Sequence, residues 1–195
     1  MRAFVGVIAA ALVWTSGGPA SAQAFGLEPG TPMRNIEVVE TLGDGVYTVS
    51  VPQPNAAFES YMVVATAAHG VCKVVGIGRT LRADRSGSQV RSVYDDLQSA
   101  ITAKYGQPSN DFDFLTANAL WDGPNEWSAS IRQNERTVAT YWKRPETASL
   151  ADNLSGIGLV VNAVNLNDTY VSLTYELSNW AECSAARRAV NNSGL

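Results

Sequence analysis

The chain has 195 residues, 46% of them hydrophobic, with 14 basic against 18 acidic side chains and a net charge of −4. That length suits a packed core, and an acidic balance without a basic stripe argues against a nucleic-acid partner. A single histidine excludes the usual multi-histidine zinc cluster, and the sequence holds no C-x-x-C pair, phosphate loop or G-x-S-x-G elbow.

Met1 and Arg2 precede an apolar run over residues 3–14, and Ala20-Ser21-Ala22 supplies small residues before Gln23. This three-part pattern predicts a cleaved secretory signal over residues 1–22. The run is shorter than the roughly 20 residues of a membrane-spanning helix, so no transmembrane segment is expected in the mature chain. With no cysteine beside the cleavage point, the mature protein reads as a soluble, periplasmic or secreted chain over residues 23–195.

Thr31 and Pro32 form a helix start, Met33, Ile36 and Val39 follow at helical spacing, and Gly43 is a stop, so a helix is expected from Pro32 to Leu42. Strand-like runs follow at 45–51, 58–66 and 71–78, with Ala67-Ala68-His69-Gly70 as the turn of a hairpin. Gly70 there is suited to a positive φ. The clearest helix spans 89–105, where Val90, Val93, Tyr94, Leu97, Ala100, Ile101 and Tyr105 share one stripe. Ser88 is its expected cap, and Gly106 and Pro108 end it. Alternation of Trp127, Ala129 and Ile131 predicts a strand at 126–132, with further strands at 136–143, 156–164 and 169–177. A last helix runs from Trp180 to about Val190, with Asn179 as its cap. Helix then antiparallel strands, twice, implies an α+β domain of two similar halves, about 23–80 and 88–195, with helices packed on antiparallel sheet.

The segment Gly26-Leu27-x-x-Gly30-Thr31 leading toward β-hairpins resembles the start of small bacterial envelope proteins of the SmpA/BamE-like type. Their tandem relative, the β-lactamase inhibitor protein fold, repeats a helix-on-sheet unit twice. The resemblance covers about residues 25–80 by motif and the remainder by element order. It implies a protein-binding or envelope-maintenance role without catalysis.

His69 and Cys72 are three residues apart, a spacing that sends them to opposite faces of a strand and disfavours a catalytic pair. Two cysteines in an exported chain predict one disulfide, Cys72–Cys183. Gly76 and Gly78 lack the third glycine of a dinucleotide loop and read as close-packing positions in a strand.

Asp111-Phe112-Asp113-Phe114 reads as a solvated edge strand with both phenylalanines inward. Its two acids, with Asp122 and Glu126, are nonetheless the candidates for an acid/base pair or a cation site. Among the aromatics, Trp127 and Trp142 are expected in the core, whereas Trp121, beside Asp122-Gly123-Pro124-Asn125, is the candidate contact for a partner. Two functions stay open. One is a noncatalytic exported protein binding another protein or an envelope component. The other is a small-ligand protein or hydrolase using Asp111, Asp113, Asp122 and Glu126. No cofactor is implied.

Overall fold

The computed structural model describes residues 24–147 and 149–192; the expected signal segment lies outside them. Eight strands form one antiparallel sheet: β1 (Val38–Gly43), β2 (Val46–Val49), β3 (Phe58–Thr66), β4 (Gly70–Gly78), β5 (Asn110–Leu115), β6 (Arg136–Lys143), β7 (Leu154–Ala163) and β8 (Thr169–Leu177). Their order across the sheet is β1-β2-β3-β4-β8-β7-β6-β5, so β4 and β8 meet at the centre and β1 and β5 are the edges. Among the described residues three α-helices accompany it: α1 (Ser88–Tyr105), α2 (Trp127–Arg132) and α3 (Trp180–Asn192). The class is therefore α+β, dominated by sheet. Among the described residues no helix is long and apolar enough to cross a membrane.

Cross-strand register defines the two faces. Tyr61, Gly76, Leu173, Leu159 and Thr140 lie side by side across β3, β4, β8, β7 and β6. Alternation along these strands puts Val63, Val74, Leu159, Leu173 and Trp142 into one buried face. The core side of α1, through Val90, Tyr94, Ile101 and Tyr105, and α2, through Trp127 and Ile131, join that face. Gly76 marks a close approach there: a Cβ on it would stand 2.9 Å from the rings of Phe25 and Phe58. Phe25 packs edge-on against Phe58, Tyr61 and Tyr175, with centroids 5.3, 4.8 and 5.4 Å away. The strand-packing reading of this glycine therefore holds.

The opposite face carries Lys73, Glu176 and Tyr141. It is met at one end by α3, whose Trp180 ring lies 3.9 Å from the Lys73 Nζ. Lys73 also pairs with Glu176 at 3.0 Å. The helices thus do not share a single face.

Three local expectations are corrected. Instead of a helix over Pro32–Leu42 there is a 3-10 turn at Met33–Asn35 followed by β1. The β-branched Val38, Val39 and Thr41 favour extended backbone, and Asp44-Gly45, with φ of 52° and 73°, makes the tight hairpin that pairs β1 with β2. Residues 127–132 are helical rather than extended. Ser128 and Ser130 are as buried as Trp127 and Ile131, because their hydroxyls donate to the carbonyls of Asp84 and Trp127. In β5 the faces are reversed: Phe112 and Phe114 are 39% and 48% exposed, while Asp111 and Asp113 lie toward Thr140, Gln98 and Arg136.

Candidate functional site

The β3–β4 turn is held more heavily than a surface turn requires. Gly70 sits at φ 59°, and a Cβ there would stand 2.3 Å from the Gly30 carbonyl oxygen, so the chain at Gly30–Thr31 can lie directly against it. Gly30 N–H donates to Val71 O and Val71 N–H donates to Thr31 O. Cys72 and Cys183 form a disulfide, with S–S 2.07 Å and Cα atoms 6.2 Å apart. The Asn179 amide donates to the carbonyls of His69 and Val71 at 2.9 and 3.0 Å. Asn179 therefore starts α3 through its backbone oxygen, which accepts from Cys183 N–H, and spends its side chain on the turn.

Two adjoining cavities open around this fixed point. One of about 500 Å3 lies between the Gly30–Arg34 stretch and the turn, with Met33, Arg34, Tyr47 and His69 in its walls. The other, about 410 Å3, lies between the β1–β2 hairpin and α3, with Asp44, Ala186, Arg187 and Val190. They share Tyr47 and the Ala65–Ala68 wall. The walls are mainly apolar, with Arg34, His69 and Arg187 set against the single carboxylate of Asp44. Arg187 Nε donates to Asp44 O at 3.1 Å, tying α3 to the hairpin. The groove has the size and mixed lining of a small-ligand site.

His69 lines this groove, and its backbone N–H donates to Thr66 Oγ1 at 3.1 Å. Cys72 is consumed in the disulfide, so the two do not form a nucleophile pair.

Asp111 ends a chain of hydroxyls. The Thr140 hydroxyl donates to it at 2.7 Å, so the Tyr94 phenol, 2.5 Å from that hydroxyl, must be the donor to Thr140. Gln98 Nε2 donates to both Asp111 and Thr140. Burial, only partly offset by the Thr140 contact, pushes the Tyr94 phenol well above its ordinary value. Asp113 pairs with Arg136 at 3.3 Å, and Glu126 accepts from Gly123 N–H at 3.0 Å. Asp122 is exposed. Among the described residues there is no group of three or more His, Cys, Asp or Glu side chains suited to a metal ion. Trp121 is half-buried, its backbone N–H donating to the Glu135 carboxylate at 2.8 Å, and the exposed apolar residue of that loop is its neighbour Leu120, at 82%.

Sequence reading missed Asp84. Only 2% exposed, its carboxylate accepts from the N–H groups of Gln89 and Val90 and from the Thr169 hydroxyl. It does the work assigned to Ser88, capping α1 from outside the helix. The cue was an acid shortly before the Gly87-Ser88 helix start, where the helix dipole favours negative charge. Trp127 and Trp142 are buried as expected, and the Trp142 indole N–H donates to Gly106 O at 3.0 Å.

Compared with known family models, curated proteins and solved structures, the chain finds no match.

Proposed function

We propose that the chain is an exported, noncatalytic binding protein that takes an envelope component, an amphiphile with an acidic head, in the groove at the disulfide-bonded end. The observation that carries this reading is the pair of cavities joined at Tyr47, with apolar walls and two arginines and a histidine against one aspartate. The Cys72–Cys183 bond supports the exported reading, since such bonds persist in oxidising compartments. The resemblance of the Gly26–Thr31 stretch to SmpA/BamE-like proteins points the same way. The strand order supports reading the chain as two halves, about 23–80 with β1–β4 and 88–195 with α1, β5–β8 and α3, since each half supplies four neighbouring strands of the sheet.

Dodecanoate is the probe, titrated calorimetrically into the oxidised protein with dodecylamine as the control of opposite charge. Dodecanoate should bind, and Arg34→Glu with Arg187→Glu should weaken it about tenfold or more, as expected for lost charge-assisted contacts. Equal binding of the amine, or no response to Tyr47→Ala, removes the groove as the site. Export is tested separately: the mass of the secreted product should correspond to a chain starting at Gln23.

A second reading, a protein contact through the Leu120–Trp121 loop, is favoured by the exposure of Leu120. Pulldown from an envelope extract with Leu120→Ser and Trp121→Ala tests it. A partner retained by both variants excludes this loop.

A further inference from the structure

The two outer strands are exposed to different degrees of use. Along β1 the pairing with β2 shifts register twice, between Val38 and Glu40 and again between Thr41 and Gly43. Such irregularities twist an edge away from further pairing. Along β5 the register with β6 runs without a shift from Asn110–Tyr141 to Leu115–Arg136. Five of its six residues are exposed, and among the described residues no strand pairs with its outer side. Neither proline nor lysine occurs in Asn110–Leu115, and the charges that guard this edge are the aspartates Asp111 and Asp113, which repel acidic strands and admit basic ones.

The outward backbone groups are identifiable. Thr116 N–H donates to Glu135 O in step with this register. The alternation of an antiparallel ladder therefore turns the N–H and C=O groups of Asp111, Asp113 and Leu115 away from β6. On one side of this edge stand the carboxylates of Asp111 and Asp113. On the other stand Phe112 and Phe114, 6.4 Å apart edge to face, with Phe112 also 6.1 Å from Tyr141.

We propose that β5 is a docking edge for an extended segment of a partner protein in which basic residues alternate with apolar ones. The backbone of that segment completes the outer ladder. Its basic side chains fall beside Asp111 and Asp113, and its apolar side chains fall beside Phe112 and Phe114. Charge selects against a second copy of this chain. Antiparallel pairing of two β5 strands would bring Asp111 and Asp113 of one against those of the other, and like charges across a ladder destabilise it. This surface is separate from the groove at Tyr47 and stands or falls independently of it.

The probe is a blocked hexapeptide alternating lysine and isoleucine, followed by amide chemical shifts in the intact, oxidised protein. Shifts should be confined to residues 109–116 and their β6 partners. Methylating alternate backbone nitrogens of the peptide should weaken binding at least tenfold, and replacing its lysines by glutamates should abolish it. Asp111→Asn with Asp113→Asn, checked for an unchanged melting curve, should weaken it several-fold while leaving dodecanoate binding unaltered. The proposal is overturned by undiminished binding of the methylated peptide, by shifts elsewhere, by no binding at about 1 mM peptide, or by sedimentation showing that the free protein dimerises through β5.

Discussion

The central strands β4 and β8 are tied off differently at their two ends. At one end the β3–β4 turn is joined to α3 by a covalent bond, Cys72–Cys183, reinforced by the Asn179 amide on the His69 and Val71 carbonyls. At the other end no covalent bond exists. Leu81 and Thr169 exchange backbone hydrogen bonds, and the Asp84 carboxylate gathers the start of α1 and the Thr169 hydroxyl. The Ser128 hydroxyl adds α2 by donating to Asp84 O. The first end restrains the unfolded chain, since the bond links residues 111 apart in sequence. The second stabilises only the folded state. The groove lies at the covalently restrained end, where its walls come from three distant parts of the chain.

This contrast is open to measurement. Replacing both cysteines by serine should cost the most, about 5 kcal/mol on the chain-entropy account. Urea unfolding of the double variant should show a lower midpoint, and the groove should lose dodecanoate affinity. Asp84→Ala follows, at about 3 kcal/mol, from a lost cap and buried donors left without an acceptor. Its unfolding midpoint should fall while dodecanoate binding stays intact; loss of binding would show that the two ends are coupled. Asn179→Ala should cost about 1–2 kcal/mol, with amide exchange accelerated at Gly70–Cys72 and unchanged at Asp84–Val90.

Titration sharpens the same contrast. Burial raises the phenols of Tyr94 and Tyr175 above their ordinary value of 10.0. Folded molecules therefore retain protons that unfolded ones release, and stability should fall as pH rises past about 10. A chemical-denaturation series at pH 9, 10 and 11 checks the sign. The smallest effect belongs to Asp168, lowered below 3.8 by the Ala83 N–H and then by the Asn165 amide. Its contribution is present above the unfolded value and is lost as pH falls through the folded one. The Ala83 amide shift should follow the Asp168 carboxyl in an acid titration, confining this change to the Asp84 end.

Much of the framework was legible because periodicity and burial agree. In α1 the stripe through Val90, Tyr94, Ile101 and Tyr105 is buried, and in β8 every second residue from Thr169 to Leu177 is. The disulfide was legible from two cysteines in a chain whose first residues read as a secretory signal. Residues 126–132 misled because serines normally mark the wet side of a strand, whereas Ser128 and Ser130 are satisfied by buried carbonyls. Asp111 and Phe112 misled because the carboxylate finds Thr140 and Gln98 under α1, which leaves the phenylalanines outside. Residues 36–42 satisfied a helical pattern, yet the Asp44-Gly45 turn and the partner strand decided the outcome. The groove was illegible altogether: Arg34, Tyr47, His69 and Arg187 meet only through tertiary contact.

The helix following each group of four strands packs chiefly on the other group, α1 on β7 and β8, and α3 on β3 and β4. A cut between residues 79 and 87 would therefore part β4 from β8 and leave α3, the helix over β3 and β4, on the C-terminal piece, while α1 would stay with β7 and β8. Lys73 waits for Glu176 before β4 gains its second neighbour. Almost the whole chain must therefore leave the ribosome before the sheet can close, because β4 finds its second neighbour only in β8.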